Sequence, residues 1–392
     1  MSYIKNVVLK SPTREFYDYC LKYGYTKDNL EVLREDEVFI ELFDTYLYRL
    51  KGKRYSPEAY LFSFESATKL KKKASNIVKL TWRPEGFSTF PVYHPSRLIS
   101  SPFYADRVVE NWFTTKYVMS FWEGRLHPMN MACRENLGPH LAARSLKDFI
   151  NSYLKDHSED QLWYFQGDME GYFNNISHDY VMKLHEGMNP YGYFLLKSVM
   201  ESWVETDDYA ALECKDPNVA FGWPKGNLPS QWVGITTLND LDWKMTERSG
   251  CLFYVRIMDD FITFYRTKEE CREAKRYTEK YLLKEKIGVR LHPTKTKYAP
   301  IRHTFNFCGW QYVLKDGAVL QRVRTDRKKL KKKEWKAKKK KFEEGKISPG
   351  EYRASMTSTF GHYGHGDTKR LIKYLKHQYK YPGKEEKPKK TQ

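Results

Sequence analysis

A chain of 392 residues with 68 Lys and Arg against 49 Asp and Glu carries a formal charge of +19, which points to polyanionic partners, and its length predicts two or three subdomains rather than one core. The six cysteines (Cys20, Cys133, Cys214, Cys251, Cys271 and Cys308) lie far apart with no CxxC pair, which argues against a zinc site or a disulfide framework and fits a reducing compartment. The N-terminus has no apolar signal core and no run of about 18 apolar residues occurs, so the expectation is a soluble, cytoplasmic protein with no membrane partner.

Residues 12–80 read as helices: Leu30, Val32, Leu33, Val38, Phe39, Leu42 and Phe43 recur on a helical period, and Ser56-Pro57-Glu58 is a helix start. "FSTFPVYHPSRLI" reads as extended chain, and residues 102–122 and 137–154 read as helices. From 161 the pattern changes. "QLWYFQGD" is a short apolar run ending on Asp168, and "CLFYVRIMDDFITFY" holds two β-rich runs, Leu252–Ile257 and Phe261–Phe264, meeting at Asp259-Asp260. That is a hairpin with acid at its tip.

Residues 268–286 form an amphipathic helix. "FNFCGWQYVLKDGAVLQRV" follows as β structure with Lys-Asp-Gly at its turn. A charged helix over 325–344 can seat Leu330, Trp335 and Phe342 while its lysines stay solvated, and residues 351–380 hold a helical pair around "FGHYGHGD". The last dozen residues have the composition of an unfolded tail.

The charge is uneven. Residues 321–392 hold 24 Lys and Arg and 8 Asp and Glu, or +16, leaving the first 320 near neutral. Aromatic content is high at 30 Tyr, 22 Phe and 10 Trp, and rings interleaved with Lys and Arg suit a groove in which bases stack and phosphates are neutralised.

Transfer of a nucleotide to a growing strand uses two divalent metals about 4 Å apart. Magnesium takes hard oxygen ligands and only one or two carboxylates per ion. A small set of aspartates on rigid strands meets that need, and Asp168 at a strand end with Asp259 and Asp260 at a hairpin tip supplies one. Taken alone, an Asp-Asp pair in a turn is common.

The order of the surrounding segments is more specific, and over roughly residues 85–375 the chain resembles the reverse transcriptase family of the bacterial and phage branch. "GDMEGYFNNISHD" (167–179) looks like the family's first catalytic motif. The match implies Asp168 as a ligand of both metals, the Met169 carbonyl completing one shell, and Phe173 beneath the incoming sugar. "VRIMDDFITF" (255–264) resembles the second motif, giving Asp259 the main metal role and Asp260 a supporting one, with Ile257 where the family has Tyr.

"KGNLPSQWVGITTLNDLD" (225–242) is similar to the segment shaping the nucleotide pocket, which nominates Lys225, Gly226, Ser230 and Gln231. Its Ser-Gln form resembles diversity-generating retroelement enzymes, although Lys225 replaces their branched aliphatic residue. "SRLISSPFYADRVVENW" (96–112) looks like a fingers segment, with Arg97 for the triphosphate and Arg107 for packing or template contact. "HPMNMACRENLGPHLA" (127–142) resembles the next block, with Arg134 and His140 on the template side.

"LHPTKTKY" (291–298) matches the segment whose lysine protonates pyrophosphate, so Lys295 is the nominee. "FNFCGW" (305–310) resembles the primer grip, nominating Phe307, Gly309 and Trp310, and "FGHYGHGDTKRL" (360–371) a thumb turn. In the lysine-rich helix, Lys328, Lys329, Lys332, Lys333 and Lys336 are candidates for duplex contact.

The resemblance implies an α+β right-hand polymerase. Its parts are an N-terminal helical extension (1–84), fingers (85–160), a palm with an antiparallel sheet and an interleaved fingers segment (161–304), a primer grip with a basic helical thumb (305–380), and a tail (381–392). It implies RNA-directed DNA synthesis with two Mg2+ ions, for which Mn2+ can substitute. The partners expected are a dedicated template RNA, the RNA/DNA duplex, deoxynucleoside triphosphates and a small basic accessory protein. Retroelement and antiphage-defence roles both stay open, as do an RNA-dependent RNA polymerase and, from a different class, a catalytically dead RNA-binding version of the fold.

Overall fold

In the computed structural model, residues 14–26, 28–53, 55–93, 96–203 and 220–379 are described, without the side chains of Ser96 and Arg97. Cys214, the first 13 residues and the tail expected to be unfolded lie outside the described residues. Helices combine with antiparallel sheets, so the class is α+β. The chain forms two units, each assembled from three separate stretches: residues 1–133, 167–248 and 274–296 in one, and 134–166, 249–273 and 297–392 in the other.

The first unit begins with the helices Arg14–Lys22, Glu35–Leu50, Pro57–Ser63 and Ser66–Val78. The Ser56 hydroxyl accepts from the Ala59 amide and Pro57 occupies the first turn, satisfying an end that would otherwise hold orphan donors. Val38, Leu42 and Tyr46 of the second helix are buried. The rings of Tyr46 and Phe62 (5.3 Å), and of Phe62 and Tyr104 (4.8 Å), continue this core. Lys73 is buried yet paired, reaching Asp106 at 2.6 Å and Glu85 at 2.9 Å, as an ammonium removed from water requires.

Strands β1 (Phe87–Tyr93) and β2 (Ser96–Pro102) form an antiparallel hairpin. The helix expected over 102–122 is present and changes type along its length. It runs as an α-helix over Tyr104–Phe113, widens to a π-helix over Thr114–Met119 and ends in a short α turn, Ser120–Trp122. Helices Pro190–Glu201, Leu228–Thr236 and Asn239–Thr246 complete most of the unit's interior.

The second unit holds β3 (Trp163–Asp168, whose last two residues belong to the first unit), β4 (Phe253–Ile257), β5 (Asp260–Tyr265) and β6 (Lys297–Pro300), in the order β4-β5-β3-β6. β7 (Phe305–Phe307), β8 (Trp310–Lys315) and β9 (Ala318–Val323) make a separate antiparallel sheet. Two-residue turns join its strands, Cys308-Gly309 and Asp316-Gly317, all four residues with positive φ, the geometry whose twist matches paired strands.

Helix Pro139–Asp156 buries Ala142, Ala143, Leu146 and Ile150, and Phe149 stacks on Phe253 at 4.7 Å. The lysine-rich helix Thr325–Glu343 buries one residue, Trp335. Its ring lies 5.3 Å from Phe360 and 5.6 Å from Tyr379, so helices Pro349–Tyr363 and Lys369–Gln378 supply the wall it needs. No helix among the described residues is long and apolar enough to cross a membrane.

Candidate active site

The β4–β5 hairpin pairs Ile257 with Asp260, leaving Met258 and Asp259 as its two-residue turn. Met258 has a φ of +57°. A left-handed conformation in a non-glycine turn residue is strained, by about 1–3 kcal/mol, and must be held by its surroundings. Arg256, fully buried, holds it: Nη1 donates to the Met258 carbonyl at 2.7 Å.

Gln166 braces the acid beside the turn. Its Nε2 donates to Asp260 Oδ1 at 3.1 Å and to the Asn306 carbonyl at 2.9 Å. Both partners are pure acceptors, so the orientation of the amide is chemically forced. The other end of the group, Oε1, is buried without a partner. Cys308, two residues beyond Asn306, has its thiol pushed well up by burial, with the charge of Asp260 adding to the shift.

In the first unit Asp168 closes β3. Its carbonyl accepts from the His292 amide at 2.7 Å, its amide donates to Thr296 Oγ1 at 3.4 Å, and Lys295 Nζ lies 3.2 Å from its Oδ2. The segment 290–296 therefore holds both the backbone and the charge of this aspartate. Met169 is buried and bridges to Leu291. Phe173 is half-buried, its carbonyl accepting from Trp223 N at 2.8 Å.

The 225–231 segment rests on β2. The Ser100 amide donates to the Lys225 carbonyl at 2.7 Å. A Cβ on Gly226, whose φ is +140°, would lie 2.8 Å from the Ile99 side chain and 3.0 Å from the Ser100 carbonyl; only glycine permits this approach. Asn227 caps the next helix, its Oδ1 accepting from the Ser230 amide at 3.1 Å, and its amide reaches Glu110 Oε1 at 3.3 Å. Glu110 is fully buried and its carboxyl is pushed up to about 8 by burial, so it is largely neutral at pH 7. The Ser230 hydroxyl is buried without a partner, and Gln231 is exposed.

Other nominees are placed differently from a nucleic-acid surface. Phe307 and Trp310 are each 1% exposed, so neither ring offers a face to a base, and the Cys308-Gly309 turn between them is left to make contact through its backbone. His362 stacks on Trp310 at 5.0 Å and His140 stacks on His365 at 3.9 Å; partial burial, with His365 beside both, holds His140 and His362 below the usual imidazole range.

Arg107 pairs with Glu58 and lies 5.0 Å from the Tyr104 ring, a packing role. Arg134 is half-buried. Arg97 lies on β2, with its side chain outside the description. Lys332 lies over the Tyr374 ring at 5.3 Å, whereas Lys328, Lys329, Lys333 and Lys336 have no ion pair among the described residues.

Among the described residues no three His, Cys, Asp or Glu side chains are grouped so as to hold a metal by themselves. Magnesium does not need three, since water and substrate phosphate complete its shell. The hard carboxylate donors at 168, 259 and 260 suit that chemistry, and the unpartnered Gln166 Oε1 is an acceptor suited to a donor such as water. Sequence reasoning missed Gln166, Arg256 and Glu110. Glu110 carried a signal, as an acid between the apolar pairs Val108-Val109 and Trp112-Phe113.

No protein-family model matches the chain, and no curated protein does. Telomerase from Candida albicans in complex with a telomeric RNA fragment aligns at 12% identity over 67% of this chain and 50% of its own, with a TM-score of 0.43. Apo telomerase from Candida tropicalis, truncated of its C-terminal domain, aligns at 14% identity over 60% and 54%, with a TM-score of 0.40. The RNA complex of Candida tropicalis telomerase aligns at 13% over 57% and 42%, with a TM-score of 0.37. The chain spans about half the length of these structures, and a likeness this slight says nothing of its activity.

Proposed function

We propose that the chain is an RNA-directed DNA polymerase of right-hand architecture, with Asp168, Asp259 and Asp260 as ligands of two magnesium ions. The observation that carries the reading is the strained β4–β5 turn, in which a buried arginine and a glutamine amide brace a non-glycine residue and the acid beside it. The bracing rather than the φ is the signal: the exposed Asp316-Gly317 turn shares the positive φ, whereas here a buried guanidinium donates to the turn carbonyl and an amide to the neighbouring carboxylate, as befits a turn whose side chains must be aimed.

When bound, the metals supply Lewis-acid activation of the 3′-hydroxyl and neutralisation of the leaving pyrophosphate. The chain's own part is to orient and to move protons. Gln166 and Arg256 fix the hairpin tip, Lys295 neutralises Asp168 and supplies a proton to the departing phosphate, and Phe173 stacks beneath the sugar. Of the Ser230-Gln231 step, on a helix capped by Asn227, the exposed Gln231 is the residue open to the base pair, with Ser230 buried behind it. That step favours the retroelement role with its template RNA and basic accessory protein, whereas Lys225 and Ile257 favour the antiphage role.

The test is primer extension on RNA and DNA templates by the wild type and by Asp259→Ala with Asp260→Ala. The expected outcome is extension on RNA by the wild type and none by the double variant, with duplex affinity kept within a few-fold. Equal extension by both proteins overturns the assignment.

A further inference from the structure

Gln166 braces the acid beside the turn, and its geometry implies a further link. One amide nitrogen spans two acceptors from different parts of the second unit, the Asp260 carboxylate on β5 and the Asn306 carbonyl on β7. These acceptors are far apart in sequence from the donor, by 94 and 140 positions, so no local propensity places it there. Asp260 is half-buried. A neutral amide donor stabilises its ionised form without contributing a competing positive charge.

We propose that Gln166 is a positioning residue: it ties Asp260 to the backbone of β7, and thereby sets the carboxylate's orientation relative to the Cys308-Gly309 turn. The inference rests on the reading of Asp259 and Asp260 as metal ligands and adds to it a mechanical link. In that link the hairpin that holds metal and the turn expected to hold the primer end share one side chain. Motion of the turn is transmitted to Asp260 through two hydrogen bonds. Outer partners of metal-ligating carboxylates typically govern affinity for the metal by 10–100-fold when removed, whereas a residue that merely fills space would change stability instead.

The experiment compares wild type with Gln166→Met, which keeps length and burial but removes both donors. Three quantities are read: Mn2+ affinity of the duplex-bound protein by electron paramagnetic resonance, which needs no turnover; the melting temperature; and duplex affinity. The expected result is Mn2+ binding weakened about tenfold or more, with duplex affinity within twofold and melting within a few degrees. Unchanged Mn2+ affinity overturns the proposal, and so does a fall in melting temperature and duplex affinity that matches the loss of metal.

Combining Gln166→Met with Asp260→Asn closes a cycle: a residue acting through Asp260 gives effects on Mn2+ that do not add, and additive effects count against the link. Should Gln166→Met not fold, Gln166→Asn, one methylene too short to span both acceptors, is read by the same measurements. Asp259→Ala with Asp260→Ala separates the two claims. If that pair leaves Mn2+ binding intact, the metal assignment itself fails; if it removes Mn2+ while Gln166→Met does not weaken it, the link alone fails.

Discussion

Arg256 donates to the carbonyl of Met258 at 2.7 Å from a fully buried position, so a charged side chain within β4 fixes the backbone of the turn that follows it. Arg256→Lys keeps the charge but loses the rigid fork. Displacement of the turn by even 1 Å is expected to lower the rate of nucleotide addition on the order of 100-fold, with nucleotide KM little changed. Single-turnover kinetics at saturating primer-template check this; a rate within threefold of wild type would show that the turn does not depend on the guanidinium.

Phe173→Ala is expected to admit ribonucleotides, because a ring stacked beneath the sugar leaves no room for a 2′-hydroxyl. The ratio of ribo- to deoxynucleotide incorporation is the measurement, and an unchanged ratio counts against the steric gate.

Glu110 makes stability depend on pH in a stated direction. Its carboxyl titrates near 8 in the folded chain and near the ordinary value of about 4.3 when unfolded, so between those values the folded state binds more protons. Stability from this group is therefore full below the unfolded value and falls as pH rises towards 8, by up to about 5 kcal/mol. Glu110→Gln keeps the contact to Asn227 and removes the titration. Urea midpoints at pH 5 and pH 8 are expected to differ less for the variant, which gains most at pH 8; parallel shifts at both values would contradict the buried acid.

The lysine helix yields a salt-dependence prediction. If Lys328, Lys329, Lys333 and Lys336 each neutralise a phosphate, replacing all four with Gln flattens the slope of log affinity against log salt by roughly three units, taking about 0.9 per phosphate as the upper guide. Single-nucleotide addition at saturating duplex stays the same, because the aspartates are untouched. Parallel salt titrations for the two proteins would assign these lysines to a solvated face.

The hairpin was legible because its signal is local: apolar alternation on both sides of Asp259-Asp260 leaves only one place for the turn. The seat of Trp335 was legible for a similar reason, as one of three apolar residues in a charged helix. Gln166 was not, since its partners lie on other strands and a glutamine in an apolar run has no periodic signature. Phe307 and Trp310 show the opposite limit. An aromatic that stacks on a base and one that packs into a core are the same residue type, and only their burial, for Trp310 against His362, separates them. The π-helical turn at 114–119 left no mark either, because the same residues are compatible with either ladder.

The threefold division of each unit has a consequence for how the chain is made. The stretch 1–133 lacks the rest of its own unit until residues 274–296 are synthesised, and the stretch 134–166 waits for 297 and beyond. Neither unit is complete while most of the chain is still to come, so the apolar face of a helix such as Pro139–Asp156, which packs on β4 and β9, is exposed on the ribosome for longer than in a protein whose domains follow one another. Chains with contacts this distant in sequence fold slowly and aggregate readily while incomplete. Slow synthesis or a chaperone that shields nascent helices is therefore expected to raise the yield of soluble protein, and fragments cut between 133 and 296 are expected to be insoluble.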